Sequence, residues 1–381
     1  MILEIPLRKA ALFTLSRQHL LERAPRDLAL DVVDEILGLN AQGAINVQLS
    51  LWNRVADLET GFIPRALHVD RSLVKTWLMR NTVHVIPSKQ LPIYHKALGR
   101  SLIREWNRWT TKTGSKESAT SWEPLYSQVL KALEGGPLTI RQLHDVLKWK
   151  DGESRITVSR LVREMSLRGL LCHSESSGPW HHTTQYSFAR VDKWLLGINQ
   201  ESQSEDEALT SLVRGYLRAY GPASISDFAY WAGMKVSEAR PAFDGLSDSL
   251  VEVVVPEQRG KLLILNEDVP TLLEVEERPS VVRLLPCFDA LIMGHKDKTR
   301  FIDPRVLNRI LLPLGDIAAT IMADDRVQGV WTLRKMKKTW RIELSPFNTL
   351  SRDEVDAVKA EVDQLQSFTG FEIELVWKKA G

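Results

Sequence analysis

Two side-chain amides with a single residue between them are the first feature of this sequence that could do chemistry. Asn40 and Gln42 stand at the end of a predicted helix, and neutral amides donate and accept hydrogen bonds without ionising. A second group, Arg80, Thr82 and His84, alternates along a predicted strand. Because side chains two residues apart share one face of a sheet, all three could face one side. From spacing alone, Gln42 is a surface amide at a helix end.

The sequence contains no familiar signature of metal, phosphate or nucleophile chemistry. It has no glycine-rich phosphate loop, zinc-type spacing or nucleophile elbow. His181 and His182 are adjacent, and adjacent side chains do not converge on one metal ion, so we interpret them as a wing tip or core edge. We therefore expect neither a metal nor a cofactor. Cys172 and Cys287 lie far apart without a disulfide framework, which favours a reducing cytoplasm.

The overall charge is nearly balanced, but the basic residues are unevenly distributed. The net charge of +2 over 381 residues does not by itself predict nucleic-acid binding. Between positions 96 and 116 a basic residue recurs at every fourth position, where side chains are neighbours on a helix. These residues are Lys96, Arg100, Arg104, Arg108, Lys112 and Lys116, opposed only by Glu105 and Glu117. This basic ridge is either a solvated helix face or a surface that contacts phosphates.

Two similar segments indicate the elements that must position these side chains. Each has a Gly-Pro turn, a Thr or Ser at a helix N-cap and a Gln or Asp three residues later that completes a capping box. The residues are Gly136, Pro137, Thr139 and Gln142 in one copy and Gly221, Pro222, Ser224 and Asp227 in the other. Each copy follows an amphipathic helix and precedes a second helix and β-rich sequence. This order is typical of the winged helix-turn-helix, which commonly holds nucleic acid.

The second predicted unit carries the candidate recognition helix, Ile156–Arg168. Its candidate DNA contacts are Arg155, Arg160 and Arg163. The wing of this unit would span residues 174–186. Trp180 at the tip of the wing could wedge into a DNA groove or pack against the protein.

The predicted fold class is α+β, with tandem winged helices and a C-terminal α+β domain. The predicted units are a first winged-helix-like unit (1–90), a basic connecting helix and linker (88–120), a second winged helix (121–198), a third (203–275) and the C-terminal domain (281–381). In the first unit, periodicity predicts helices at Ser16–Glu22 and Arg71–Arg80. The hydrophobic content of 44% and charged content of 26% are typical of soluble globular proteins. No apolar run reaches the length of a membrane span, and we expect no signal peptide.

Most of the chain resembles the AlkZ/YcaQ-like bacterial winged-helix proteins, several of which are DNA glycosylases that remove bulky or crosslinking alkylpurines. The family pattern L-Q-A-Q … L-W-x-R is similar to Leu39–Gln42 with Leu51–Arg54. The pattern T-W-x-M-R-G-T-x-H-x-x-P resembles Thr76–Pro87, and L-L-P-x-F-D resembles Leu284–Asp289. A late G-x-W resembles residues 329–331.

The resemblance implies a C-shaped stack of winged helices whose concave face holds duplex DNA. The catalytic motif of the family is glutamine, an apolar residue, then glutamine or aspartate. Gln42 matches the second catalytic position, whereas Asn40 stands where the first glutamine is expected. Asparagine is one methylene shorter, so its reach falls by about 1.3–1.5 Å. A misplacement of this size can cost on the order of 100-fold in rate.

Other residues of the matched motifs have two interpretations each. In the functional one, Arg54 and Arg80 contact phosphates, and His84, with Thr82 beside it, is a polar member of the DNA cleft. The plainer alternatives are a snorkelling cation for Arg54, a helix C-terminal cation for Arg80 and a strand surface histidine for His84. Asp289 either orients one of these cations or caps a turn.

The leading hypothesis is a monofunctional, metal-free DNA glycosylase that hydrolyses the N-glycosidic bond of N7- or N3-alkylated purines, with bulky adducts or interstrand crosslinks as possible substrates. An alkylated purine is already cationic and leaves readily, so Gln42 would only position water, and Asn40 would assist or be vestigial. The alternatives are a non-catalytic DNA-binding protein, such as a regulator or a lesion-sequestering self-resistance factor, and a fold that serves protein contacts. We expect a cytoplasmic, nucleoid-associated monomer whose partner is damaged double-stranded DNA.

Overall fold

The computed structural model describes residues 2–112, 123–147, 155–198, 203–276, 281–336 and 339–378. The helices in these ranges are α1 (Leu7–Arg17), α2 (Ala29–Glu35), α3 (Ala44–Trp52), α4 (Phe62–His68), α5 (Leu91–Lys112), α6 (Glu123–Ala132), α7 (Ile140–Leu147), α8 (Arg155–Leu167), α9 (Val191–Trp194), α10 (Glu205–Tyr220), α11 (Ile225–Ala232), α12 (Val236–Asp244), α13 (Val269–Glu274), α14 (Ala290–Met293), α15 (Leu307–Ile310) and α16 (Arg352–Thr369). The strands are β1 (Ile2–Glu4), β2 (Leu39–Asn40), β3 (Leu73–Trp77), β4 (Val83–Pro87), β5 (Leu138–Thr139), β6 (Leu171–Ser177), β7 (Gln185–Arg190), β8 (Leu250–Val254), β9 (Leu262–Leu265), β10 (Val282–Leu285), β11 (Ala319–Ala323), β12 (Arg326–Lys335), β13 (Thr339–Pro346) and β14 (Glu372–Trp377).

A six-stranded sheet joins the first two predicted units. Its order is β2-β4-β3-β6-β7-β5, and Lys75 of β3 pairs with His173 of β6. One face of the sheet packs with α3 and α4 in a cluster that includes Leu73 and Val85. The opposite face packs with α5 and α10 in a cluster that includes Val74. Both faces of the sheet are therefore covered here, and β3 and β4 are each buried at four of five positions.

The N-terminal strand belongs to the third predicted unit. Strand β1 pairs in parallel with β8, in a three-stranded sheet of order β1-β8-β9. Phe13 of α1 packs in one cluster with Val253 and Ile264 of that sheet. The expected unit 1–90 is therefore not a single packing unit, because its first strand and helix complete the core of a unit more than 200 residues away. Local periodicity carries no signal of such long-range pairing.

Both predicted capping boxes are present. The Gln142 backbone N–H donates to Thr139 Oγ1 at 3.2 Å, and the Thr139 N–H donates to Gln142 Oε1 at 2.9 Å. The Ser224–Asp227 box has the same reciprocal bonds at 3.1 and 3.0 Å. Each capped helix precedes a second helix and an antiparallel strand pair, β6–β7 or β8–β9. The element order of these two units is thus as expected, while their C-shaped arrangement stays a prediction.

The C-terminal domain contains a five-stranded sheet of order β10-β11-β12-β13-β14 beside α16. Buried and half-exposed residues alternate along the first six residues of β12, whereas β11 is buried throughout. Gly329 is required by a close approach of strands, since a Cβ there would lie 2.8 Å from the Ser345 carbonyl oxygen. Trp331 is buried and donates through Nε1 to the Leu285 carbonyl at 2.9 Å. The G-x-W segment is therefore a packing device of this domain.

Two helices expected in the first unit are absent at those positions. The segment Arg71–Arg80 contains strand β3 and then a 3₁₀ turn at Met79–Asn81. Its valine, threonine and tryptophan favour a strand that packs on both faces, and this tertiary packing overrides the helical periodicity. Helix α1 ends at Arg17, so the helix expected at Ser16–Glu22 is also wrong. Among the described helices, none is long and apolar enough to cross a membrane.

Candidate active site

The two amides lie at a turn from a strand into a helix. Strand β2 places Asn40 directly opposite His84 of β4. The Ala41 N–H then donates to the Val83 carbonyl at 2.7 Å, and α3 begins after Gly43. The sequence placed the amides at a helix end, whereas they follow an edge strand and precede a helix. This turn is anchored by the sheet on one side and by α3 on the other, so it can hold a side chain in a fixed place.

Asn40 folds back onto its own loop and fixes Gln42. The Gln42 backbone N–H donates to Asn40 Oδ1 at 3.1 Å, and Asn40 Nδ2 donates to Gln42 Oε1, also at 3.1 Å. The Asn40 side chain is buried, whereas Gln42 is exposed. A bond from an Asn side chain to the backbone two residues later is an Asx turn, which suits the short side chain of asparagine. Gln42 is therefore the amide that can face a substrate, and Asn40 positions it.

The turn at residues 79–82 supports Asn40 from the neighbouring strand. Thr82 Oγ1 donates to the Met79 carbonyl at 3.0 Å and lies 3.5 Å from Asn40 Nδ2. Thr82 is half-buried and its hydroxyl is engaged within the turn. Its geometry is that of a residue beneath the loop, so a direct contact with DNA stays a prediction.

His84 is a buried neutral imidazole. It is 4% exposed, and its Nδ1 lies 2.9 Å from the Thr82 carbonyl oxygen. Since that oxygen can only accept, Nδ1 carries the proton. Burial, and then the nearby Arg80 charge, lower the pKa of His84 to about 3. At neutral pH His84 is therefore uncharged, and its burial rules out the interpretation as a strand surface histidine, while its place in a DNA cleft stays a prediction.

Arg80 connects the turn to the third unit. Its backbone φ of 54° is left-handed, and its Nη1 donates to the Trp231 carbonyl at 3.0 Å. Its guanidinium lies over the Tyr230 ring at 5.5 Å, and burial lowers its pKa. A Cβ at Gly233 would come within 2.8 Å of the Arg80 nitrogen, so the end of α11 packs directly on this turn. Arg80 thus bridges two units, and because it is only half-buried its expected phosphate contact stays a prediction.

Arg54 and Asp289 form a buried ion pair. Arg54 Nη2 and Nη1 donate to Asp289 Oδ1 and Oδ2 at 2.7 and 2.9 Å, and neither side chain is exposed. Asp289 also accepts from the Leu291 N–H at 3.0 Å and from Ser50 Oγ at 2.8 Å. Both interpretations of Asp289 therefore hold, because it orients a cation and caps α14. The predicted DNA contact of Arg54 is wrong, since a fully buried guanidinium cannot reach a phosphate.

The basic ridge on α5 faces acids that the local sequence did not reveal. Arg104 pairs with Glu238 of α12 and lies 3.5 Å from Glu105. Arg100 pairs with Glu205 of α10 at 3.0 Å but keeps 86% of its side chain exposed. Arg108 is 80% exposed, with Glu105 at 3.8 Å. The ridge is thus partly neutralised by the third unit, and Arg100 and Arg108 are its members best placed to exchange a surface partner for a phosphate.

Arg160 and Arg163 of α8 turn towards tryptophans of α5. Arg163 Nη2 donates to the Asn81 carbonyl at 2.5 Å, and its guanidinium lies 4.8 Å from the Trp106 ring centre. Burial lowers the pKa of Arg163. Arg160 is half-buried, 6.0 Å from the Trp109 ring centre. Arg155 begins α8, and its side chain lies outside the described part of the chain. In the structure Arg163 mainly joins two units.

Trp180 packs inside the molecule at the tip of the wing. Its ring centre lies 6.1 Å from that of Trp340 and 5.7 Å from that of Phe368, both in the C-terminal domain. Lys335 of the same domain donates to the His181 carbonyl at 2.8 Å. The half-buried Trp180 therefore fastens the wing to that domain, which agrees with the packing alternative and not with a groove wedge.

Comparisons with known proteins identify the family and the fold. Residues 33–368 match the profile of a family described as DNA glycosylase AlkZ-like. The interstrand DNA cross-link repair glycosylase of Streptomyces sahachiroi is 26% identical over 368 residues, which are 93% of this chain and 94% of that protein. The solved structure of the Streptomyces sahachiroi DNA glycosylase AlkZ gives a TM-score of 0.81 at 25% identity and covers 98% of this chain and 100% of its own. The matched range contains the Asn40–Gln42 loop and the Arg54–Asp289 pair.

Proposed function

This chain belongs to the AlkZ-like DNA glycosylase family, and on that premise we propose that it hydrolyses the N-glycosidic bond of N7- or N3-alkylated purines in duplex DNA. Membership makes it a hydrolase of N-glycosyl bonds. The similar protein of Streptomyces sahachiroi is named for interstrand cross-link repair, so crosslinked purines fall within the proposed substrates. The observation that carries the proposal is the exposed Gln42 amide, which Asn40 holds at the strand-to-helix turn.

The proposed reaction needs little acid or base catalysis. N7 or N3 alkylation gives the purine a positive charge, so the C1′–N9 bond breaks with its electron pair passing to a base that leaves neutral. Water then adds to the developing oxocarbenium at C1′ and loses its proton to solvent. The Gln42 oxygen already accepts one hydrogen bond from Asn40, and a carbonyl oxygen can accept a second from this water.

Asn40 has a positioning role in this proposal. Both of its hydrogen bonds to Gln42 lie within the loop, and its side chain is only 6% exposed. We infer that Asn40 replaces the direct role of the first glutamine of the family by orienting the second. The loss of reach in asparagine then matters less than its ability to close the Asx turn.

Duplex DNA would be held by exposed cations around the loop. Arg100 and Arg108 are the most exposed arginines of the ridge, at 86% and 80% of their side chains. Their partners are surface carboxylates, and surface ion pairs are worth at most about 1 kcal/mol, so a phosphate can displace them. We propose a monomer that acts on the DNA of the cytoplasmic nucleoid, with the DNA held in a C-shaped stack of winged helices.

Excision from a defined oligonucleotide tests the proposal. A duplex with a single N7-methylguanine is incubated with excess enzyme, and abasic sites are cleaved with alkali and counted. Wild type should produce abasic sites, and Gln42→Ala should lower the rate on the order of 100-fold with unchanged DNA affinity. Gln128→Ala, which removes another exposed amide, serves as the matched control.

A second candidate is a protein that binds lesions without excising them. The observation in its favour is Asn40 in place of the family's first glutamine. If wild type binds the alkylated duplex but yields no abasic product at any enzyme concentration, this candidate replaces the glycosylase.

A further inference from the structure

A cavity of about 310 Å³ lies on the sheet face opposite to the Asn40 side chain. Lys75 pairs directly with Val85 and with His173, and directly paired residues share a face. Asn40 is paired with His84, one position along the strand, so its side chain points to the other face. Helices α3 and α4 form the wall of the cavity, and the wing loop with Trp180 closes it. The proposed reaction uses none of these side chains.

The cavity contains a buried lysine without an acidic partner. Lys75 is 9% exposed and hydrogen-bonds with the Tyr186 side chain, and no carboxylate of the described residues pairs with it. Its Nζ lies over the Tyr186 ring, 4.0 Å from the ring centre, and burial lowers its pKa. Burying an ammonium without a counter-charge destabilises a fold. A ligand that offers a strong hydrogen-bond acceptor would remove this cost.

Several buried polar atoms around the cavity form no hydrogen bond in the described part of the chain. Gln48 Oε1, Ser174 Oγ and His68 Nδ1 are buried without a hydrogen bond in the described part of the chain, and all three residues line this cavity. Gln48 is 2% exposed and Ser174 is 3% exposed. Unpaired buried polar atoms are rare in native proteins. Their convergence on one space, together with Lys75, indicates a built binding site.

The remaining lining is flat and apolar. The rings of His173 and Tyr186 lie edge to face at 5.4 Å, and burial lowers the pKa of His173 well below its usual range, which keeps it neutral. Val47 and Ile63 supply aliphatic surface. Small-molecule pockets start at about 300 Å³, so this cavity suits a ligand of one or two fused rings. The ligand must offer an acceptor to Lys75 and a donor to Gln48 Oε1.

We propose that this cavity binds an oxopurine base, with Lys75 Nζ donating to the O6 carbonyl and Gln48 Oε1 accepting from the N1–H or the 2-amino group. The proposal rests on the proposed function, which would supply such a base. Ala44 lines the cavity and follows Gln42 by two residues, so the rim lies within about 7 Å of chain from the reactive amide. The base can come from two sources, the free product or a nucleotide extruded from the duplex.

Calorimetric titration with free bases tests the hydrogen bonds from Lys75 and Gln48, which a base from either source would form. We expect 7-methylguanine to bind at least tenfold more tightly than 7-methyladenine, whose amino group would face the Lys75 donor. Lys75→Met and Gln48→Leu should each weaken 7-methylguanine at least tenfold. Lys359→Met, an exposed lysine of α16, is the matched control and should change nothing. Lys75→Met should also melt no lower than wild type, because it removes a buried cation that no carboxylate balances.

A duplex that contains 2′-fluorinated N7-methylguanine, which resists cleavage, separates the two sources. If the cavity takes an extruded base, free 7-methylguanine competes with this duplex and Lys75→Met weakens duplex binding. If it takes only the product, Lys75→Met removes product inhibition and leaves duplex binding unchanged. Equal binding of the two free bases, no binding, or unchanged binding by a correctly folded Lys75→Met overturns the inference. If the base-binding inference fails but excision proceeds, the proposed function stands. If the base binds but no excision occurs, the proposed function fails and the base-binding inference stands.

Discussion

The Asn40–Gln42 pair and the Arg54–Asp289 pair both belong to segments that resemble one family, yet they lie in opposite environments. Gln42 is exposed, and within the described part of the chain its side chain bonds with Asn40, two residues earlier. Arg54 and Asp289 are fully buried and join residues 235 positions apart. A motif residue can therefore serve either the reaction or the frame that holds it, and the residue type does not tell which.

The buried pair explains why two separate motifs occur together. Arg54 follows α3, the helix that begins just after the Gln42 loop, and Asp289 caps α14 beside the C-terminal sheet. Asn53 strengthens the same junction by donating to the Leu284 carbonyl at 3.0 Å. The L-W-x-R and L-L-P-x-F-D segments are thus two halves of one contact. This contact fixes the helix on which the reactive loop depends.

Breaking the buried pair should have the largest effect. Arg54→Ala leaves the Asp289 carboxylate buried without its counter-charge, so we expect the free energy of unfolding to fall by about 3–5 kcal/mol. Chemical denaturation measures this change. Arg26→Ala, which removes an exposed pair with Glu59, should cost no more than about 1 kcal/mol. A stable Arg54→Ala protein that has lost only DNA affinity would restore the phosphate contact that the structure rejects.

Loosening the Asn40–Gln42 pair should affect the rate and not the fold. Asn40→Ala removes both bonds to Gln42, and we expect kcat to fall about 10- to 100-fold with KM unchanged, as followed by abasic-site formation. Asn40→Asp keeps the acceptor for the Gln42 N–H but cannot donate to Gln42 Oε1, so it should recover part of the loss. This partial rescue distinguishes positioning from a merely structural role.

The substitution Asn40→Gln introduces the glutamine that the family has at this position. If Asn40 acts through the Asx turn, the longer amide should not raise the excision rate, because it no longer fits the turn. A gain of excision would contradict the positioning role and would mean that the natural residue weakens a direct contact with the substrate.

The sequence predicted local features well and long-range ones poorly. The capping boxes at Thr139 and Ser224 were predictable because each depends on residues three positions apart. The partner of Arg54 and the acids that face Arg100 and Arg104 lie on distant segments, and no local pattern announces them. The exposure of Gln42 was predicted from spacing, although at a helix end and not in a strand-to-helix turn, and the bonds that fix it were not predicted. The resemblance identified the motifs, but only the burial of each side chain distinguished residues that can act in the reaction from residues that hold the fold.

A change of pH should alter the stability of the fold but not the rate of excision. Burial lowers the pKa of His84 to about 3 and that of His95 to about 4, below the value of about 6.5 for an unfolded chain. As pH falls below about 6.5 the unfolded state takes up protons first, so stability is lost by up to about 1.4 kcal/mol per pH unit for each histidine. Denaturation between pH 7 and 4 measures this loss, and His84→Gln should reduce its slope.

The amides of the loop do not titrate, so excision by folded enzyme should stay flat between pH 6 and 8. A bell-shaped rate profile in this range would require an acid or base near the substrate and would contradict catalysis by Gln42 alone.

The smallest effect is expected at the surface cations. Arg108→Ala removes a side chain that is 80% exposed, so stability should change by less than about 1 kcal/mol. If Arg108 contacts a phosphate, the slope of log affinity against log salt concentration should fall by about one, equally for alkylated and undamaged duplex. Glu205→Ala should have the opposite effect, because it releases Arg100 from its surface partner and leaves it free for a phosphate. Unchanged salt slopes in both variants would show that DNA does not bind this face of α5. An exposed cation that contacts bound DNA releases counterions and therefore contributes to the slope.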